Sequence, residues 1–257
     1  MKSYVSLAVR AAQAAGKIIK EDFGTRSSVD FKGRINPVTE TDLKAERVIT
    51  SLVRAECPSH NILAEEEKHG RLSSSYLWII DPLDGTVNFT HGYPFISVSI
   101  ALQHREELIL GVVFDPIHNE LFVSEKGKGA MLNGALVHVS NETSLEKSLL
   151  CTGFPYSIRE DPSDNFENFR KFCLSAQGVR RAGSAALDLC YVATGRLEGF
   201  WERTLKPWDT AAAALILREA GGLLTDYSGN DYNPFLEELV ATNGRIHEDM
   251  LRIIHLR

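Results

Sequence analysis

The chain has 257 residues and carries 28 Lys and Arg against 34 Asp and Glu, a formal net charge of −6, which excludes a general nucleic-acid-coating surface; no direct nucleic-acid binding is expected. With 44% hydrophobic and 24% charged residues, the composition is that of a globular protein long enough to bury a substantial core. No apolar run reaches membrane-spanning length, Met1-Lys2-Ser3-Tyr4 opens no apolar leader, and Cys57, Cys151, Cys173 and Cys190 form no C-x-x-C pair or zinc spacing, so a reducing cytoplasm and no membrane contact are expected. In chain order, small and apolar residues at helical spacing (Ala8, Ala11, Ala12, Ala15, Ile18, Ile19, Phe23) predict a helix over 4–23, stopped by Gly24. Residues 24–37 read as a loop or weak hairpin. A second helix is expected from Thr41-Asp42, either of which would cap it, to Cys57-Pro58. A short buried strand covers 61–64, and strands follow at 77–80, 96–103, 109–115 and 120–125, with a turn at Asn133-Gly134. Beyond residue 145 the pattern alternates. Strands are predicted at 148–152, 179–181, 198–202, 223–226 and 239–242, and helices at 164–175, 185–193, 209–220 and from His247. The fold class is α/β: an α+β half over 1–145 packed, without a flexible linker, on an α/β half over 146–257.

The segment that carries most chemistry is Trp78-Ile79-Ile80-Asp81-Pro82-Leu83-Asp84-Gly85-Thr86-Val87-Asn88-Phe89. An apolar strand ends in two carboxylates, and a Gly-Thr turn opening a helix follows. Carboxylates at a strand end suit a hard cation, and the helix start suits a phosphate. Two further acidic clusters stand at element boundaries: Glu65-Glu66 after Ile62-Leu63-Ala64, and Asp209 at the head of an alanine-rich helix. Taken singly, Glu65–Glu67 reads better as a solvated acidic turn and Asp209 as a helix cap. Brought together, such groups repel strongly unless a cation lies between them, and Mg²⁺ is the economical choice. The Asp-Pro-x-Asp-Gly-Thr string is too specific to be a plain turn.

Asp81-Pro82-Leu83-Asp84-Gly85-Thr86-x-Asn88-Phe89 resembles the first motif of the inositol monophosphatase family, and Trp208-Asp209-x-Ala211-Ala212 with Glu219-Ala220-Gly221-Gly222 resembles its second. Ala64-Glu65-Glu66 is similar to the family's Gly-Glu-Glu element, with alanine for glycine. Val38-Thr39-x-Thr41-Asp42 and Gly183-Ser184-Ala185-Ala186 are similar to two more of its segments, all in the family's order. The resemblance implies a layered αβαβα sandwich, a bacterial-type, lithium-sensitive inositol-1-monophosphatase, a homodimer, and two or three Mg²⁺ per subunit. It implies that Glu65, Asp81, the Leu83 carbonyl and Thr86 hold one ion. Asp81, Asp84 and Asp209 would hold a second, and Glu65 would face a third. Thr86 and Asp42 would orient the attacking water, with in-line attack and no phosphoenzyme. Gly85 and Thr86 would offer amides to phosphate, Asp84, Ala185 and Glu202 would contact the alcohol, and Lys32 would lie in a loop near the weaker metal.

A carboxylate at Glu202 favours a hydroxyl-rich alcohol such as myo-inositol, although an exposed strand-end glutamate fits the same pattern. Arg180, Arg181, Arg203 and Lys206 lie in the same half and suit a second phosphate, as in fructose 1,6-bisphosphate or adenosine 3′,5′-bisphosphate; Arg180 and Arg181 also suit a subunit contact, and structural salt bridges are the commonest fate of such arginines. Histidinol phosphate is a further candidate. A non-enzymatic role, as accessory protein of a transcription antitermination complex, stands beside these.

Overall fold

The alanine stripe near the N-terminus forms helix α1 (Tyr4–Asp22), whose Leu7, Ala8, Ala11, Ala12, Ala15 and Ile19 are buried. The computed structural model describes residues 4–25, 29–31, 37–155, 158 and 165–256. Strands β1 (Val29–Phe31) and β2 (Pro37–Thr39) pair antiparallel and lead into α2 (Glu40–Glu56). The cap of α2 is Thr39, not Thr41 or Asp42. The Asp42 amide donates to Thr39 Oγ1 at 3.4 Å and the Thr39 amide donates to Asp42 Oδ2 at 2.8 Å. This reciprocal arrangement satisfies two orphan donors, which a cap at either later residue would not do.

A seven-stranded sheet follows: β3 (Asn61–Ala64), β4 (Tyr76–Asp84), β5 (Ser97–His104), β6 (Glu107–Asp115), β7 (Glu120–Glu125), β8 (Ala130–Leu132) and β9 (Ala135–Val137), in that order across the sheet. β3 runs parallel to β4 and the remaining pairs are antiparallel. The short helix α3 (Thr86–Thr90) interrupts the passage from β4 to β5. β4 extends to Asp84, four residues past the strand expected from the apolar run. A register shift between Asp81 and Asp84 accommodates Pro82, which has no N–H to give to the ladder.

The second sheet is built from β10 (Leu149–Thr152), β11 (Gly178–Arg180), β12 (Gly199–Arg203), β13 (Leu223–Thr225) and β14 (Glu238–Thr242), with spatial order β11-β10-β12-β14-β13. α4 (Phe166–Ser175), α5 (Ala185–Ala193), α6 (Pro207–Glu219) and α7 (His247–His255) connect or follow these strands. α1 and α2 cover one face of the large sheet, α5 and α6 fill the space between the sheets, and α4 and α7 cover the outer face of the second sheet. The result is an αβαβα sandwich.

Strand periodicity explains the layering. On β4, Trp78 and Ile80 enter the α1–α2 core while Ile79 enters the α5–α6 core. On β12, Phe200 faces α5 and α6 while Trp201 packs with Phe172 and Met250 on the other side. Strands buried on both faces read as continuous apolar runs. α6 is buried from Thr210 through Leu217, as expected for a helix apolar all round. Its alanines permit a close approach to the sheet: a Cβ at Gly111 of β6 would stand 2.3 Å from the Ala212 carbonyl oxygen. That contact seats α6, and with it Asp209 in its first turn.

Candidate active site

The parallel register of β3 and β4 sets Ala64 opposite Ile80, so Glu65 and Asp81 leave the two strands side by side. Within the β4 bulge the Leu83 amide donates to Asp81 Oδ1 at 3.0 Å, which turns the chain and brings Asp84 to the same end of the sheet. Asp84 is held from the α5 side. Ser184 Oγ donates to its Oδ2 at 2.6 Å and the Ala186 amide donates to the same oxygen at 2.9 Å. Gly85 then takes a left-handed conformation, φ 94°, and a Cβ there would stand 3.0 Å from the Phe95 carbonyl and 3.2 Å from that of Gly183. Glycine is required on both counts, and the next residue, Thr86, starts α3.

Thr86 Oγ1 donates to Asp42 Oδ1 at 2.9 Å, with the Leu83 carbonyl 3.2 Å away as the alternative acceptor. The other Asp42 oxygen accepts from Thr39 N and Thr39 Oγ1. Asp209 arrives from the opposite side, at the third position of α6, where the Lys206 amide donates to its Oδ2 at 2.7 Å. Asp209 is therefore a helix-start acceptor and a cavity residue at once.

Glu65, Asp81, Leu83, Asp84, Gly85, Thr86, Ala185, Glu202 and Asp209, all singled out in the sequence, line one cavity. Asp42 stands directly behind it, reached through the Thr86 hydroxyl. Lys32 lies outside the described residues. The basic residues do not act as a group. Arg181 lines the cavity, but Arg203 stands 3.7 Å from Glu238 and Lys206 3.3 Å from Glu237. Arg180 is exposed and donates to its own neighbour's carbonyl. The acidic run also divides: Glu65 faces the cavity, whereas Glu67 pairs with Arg47 at 2.9 Å.

Three features escaped the sequence reading. Ser184 caps α5 and also holds Asp84. Asp188, 2% exposed on α5, lines the cavity, and its Oδ1 has no hydrogen-bond partner among the described residues. Glu202 is seated against Gly153, where any Cβ would fall 2.1 to 2.3 Å from its carboxyl atoms. A lone acid inside the apolar run of α5 was the available signal for Asp188. Nothing in the sequence pairs Gly153 with Glu202.

Among the described residues, six carboxyl groups (Glu65, Asp81, Asp84, Asp188, Glu202, Asp209) and one cation, Arg181, thus line the cavity wall. Burial pushes Asp81 well above the usual carboxylate range, and the charges of Glu65, Asp84 and Asp209 push it further. Asp209 is raised by burial, then by Asp84 and Glu65, against the Lys206 amide. Asp84 is pushed up to about 6 by burial, opposed by its Ser184 and Ala186 hydrogen bonds. Glu202 is raised by burial and by Asp188 beside it. Among the described residues, no three His, Cys, Asp or Glu side chains close into a ready-made ligand cluster.

A sequence profile described as the inositol monophosphatase family matches residues 1–256. The chain belongs to the inositol monophosphatase family. It is 42% identical to an inositol-1-monophosphatase of Synechocystis sp. over 97% of this chain and 88% of that protein. It is 43% identical to the Nus factor SuhB of Pseudomonas aeruginosa over 99% of this chain and 96% of that one. The solved structure of the inositol monophosphatase from Anabaena (Nostoc) sp. superposes with a TM-score of 0.89 at 41% identity, covering 98% of this chain and 94% of the other. Membership in the inositol monophosphatase family supports a phosphatase activity. The relatives' two names leave the substrate open. Among the described residues no helix is long and apolar enough to cross a membrane.

Proposed function

We propose that this protein hydrolyses a phosphate monoester in the cavity with Mg²⁺ as cofactor, and that its preferred substrate is inositol-1-phosphate. The observation that carries this reading is the donor set. Four carboxylates, a backbone carbonyl and a hydroxyl, with no His or Cys among the described lining residues, converge on one cavity beside a Gly-Thr helix start. Oxygen donors alone match Mg²⁺, and mutually repelling buried acids are the groups a divalent ion would stabilise. Glu65, Asp81, the Leu83 carbonyl and Thr86 would hold one ion, Asp81, Asp84 and Asp209 a second, and Glu65 would face a third. Mg²⁺ bound there supplies charge neutralisation for the ester and a lower pKa for water.

The chain's own groups then do the positioning. Thr86 gives its proton to the hydrogen bond with Asp42 Oδ1, so its lone pairs remain to accept a hydrogen bond from the attacking water. Burial raises the Asp42 pKa, which makes it a stronger base for the proton passed through Thr86 Oγ1. The first amides of a helix have no acceptor within it, so those of Gly85 and Thr86 would take phosphate oxygens. Glu202 and the Ala185 backbone would meet the alcohol. Among the described lining residues six acids stand against the single cation Arg181, a balance that supports a neutral, hydroxyl-rich alcohol over a bisphosphate.

The test is kcat/KM with Mg²⁺ for inositol-1-phosphate, fructose 1,6-bisphosphate, adenosine 3′,5′-bisphosphate and histidinol phosphate. Inositol-1-phosphate should lead by about tenfold or more, the scale of a few lost hydrogen bonds. A bisphosphate ranking first, or full turnover without divalent metal, would overturn the reading.

A second role is favoured by the name of the Pseudomonas relative. On that reading the chain also contacts transcription elongation proteins. A pull-down with those proteins should recover wild type and Asp209→Asn alike. Recovery of neither removes this role.

A further inference from the structure

Glu46 is a buried acid that the proposed reaction leaves unused. It lies on α2 four residues beyond Asp42 and is 0% exposed. Burying a carboxylate is costly unless polar partners surround it. Its main partners are two consecutive backbone amides: Glu66 N donates to Oε2 at 2.8 Å and Glu67 N donates to Oε1 at 2.7 Å. The His69 imidazole stands 3.6 Å from Oε1. Successive amides turned toward one anion form a backbone nest, which commits the chain to a fixed path around the charge.

The path so fixed is the exit of β3. Glu65 lies between two anchors, the Ala64–Ile80 pairing on one side and the Glu46 carboxylate on the other. We propose that Glu46 is a positioning residue: by holding the Glu66 and Glu67 amides it keeps the Glu65 carboxylate on the cavity wall beside Asp81, and so sets the affinity for the divalent cation. This rests on the metal-dependent reading above. Asp42 and Glu46 share one face of α2, four residues apart, so a single rigid helix holds both the Thr86 hydroxyl and the Glu65 turn. Stability alone gives a weak reason for such a residue, because an apolar side chain of similar size commonly replaces a buried charge at little cost. What an apolar side chain cannot do is hold two amides.

The experiment is Mg²⁺ binding by isothermal titration calorimetry to wild type, Glu46→Gln and Glu46→Asp, with activity measured across the same Mg²⁺ range. Glutamine keeps the size, but its amide nitrogen cannot accept from a backbone N–H. Loss of such a support for a metal ligand typically weakens metal affinity about 10–100-fold. We expect that loss for Glu46→Gln and a smaller one for Glu46→Asp. Activity should return at saturating Mg²⁺, where KM for the ester stays within about twofold of wild type. A folded Glu46→Gln protein with unchanged Mg²⁺ affinity overturns the proposal, even if its melting temperature falls. If Glu46→Gln does not fold, Glu46→Asp decides by the same criterion. Rapid hydrogen exchange at the Glu66 and Glu67 amides of the wild type overturns it as well. Wild type that binds no Mg²⁺ removes the metal-dependent reading and this proposal together, whereas wild-type binding with an unaltered variant removes only the proposal.

Discussion

Replacing Asp209 with asparagine should lower turnover by on the order of 10³-fold, equivalent to about 4 kcal/mol of transition-state stabilisation, the scale of charge stabilisation a catalytic metal provides. The substitution isolates charge from shape. Asparagine keeps the volume, and its Oδ1 can still accept from the Lys206 amide, so the start of α6 should stay formed. What disappears is one of the negative charges that press on Asp81 across the cavity. In metal-free protein at pH 8 that loss removes repulsion. Asp209→Asn should therefore melt no lower than wild type there, while its activity collapses. This opposition separates a catalytic deficit from a folding defect. A variant with near-normal turnover at ordinary Mg²⁺ would show that Asp209 serves the helix start and not the chemistry.

The strand-end carboxylates were legible because a buried strand that stops in Asp-Pro-x-Asp-Gly-Thr has few other physical readings. The layering was legible for a similar reason: apolar runs on β4 and β5, with an alanine-rich helix, announce elements buried on every side. What was not legible depends on partners distant in the chain. Glu46 looks like one more charge on an amphipathic helix until residues 66 and 67 are seen to fold around it. The arginine and lysine group depends on distant partners as well. Proximity in sequence suggested one basic patch, but β12 pairs antiparallel with β14 and sets Arg203 opposite Glu238. Lys206, just beyond the strand, meets Glu237. Arg203 and Lys206 thus take salt bridges, whereas Arg181 lines the cavity. Residue roles at the cavity came from family resemblance joined to chemistry, because spacing alone cannot say which of six acids meets a metal.

Mg²⁺ should raise the melting temperature by about 5–10 °C at pH 8 and by much less at pH 5. The sign follows from the cavity acids. Asp84 is pushed up to about 6 from an ordinary value of 3.8, so the folded metal-free protein holds a proton on it where the unfolded chain has released one. Its contribution to stability is fully present below about pH 4 and is lost as pH rises through 6. The upper bound on that loss is about 3 kcal/mol, trimmed by the residual exposure of the side chain. Asp81 and Asp209 are shifted the same way, by burial first and then by their neighbours. A cation in the cavity reverses the effect, because it binds the charged carboxylates and must displace their protons to do so. At a hundred times its dissociation constant a ligand stabilises by about 2.7 kcal/mol, and each kcal/mol is worth about 2–4 °C in a chain of this size. Two histidines act in the opposite direction. Burial lowers the pKa of His60 and His247, so their contribution grows as pH rises toward 6.5. Both are present with and without metal, and neither lines the cavity, so they cancel in the difference between the two melts. The lowered carboxyls of Glu142, Glu167 and Asp226 are solvent-screened and release stability only at pH below the range compared. Melting curves in EDTA and in Mg²⁺ at half-unit steps from pH 5 to 8 measure the difference directly. An increment that stays flat or shrinks as pH rises would mean that the cavity acids are not what the ion binds.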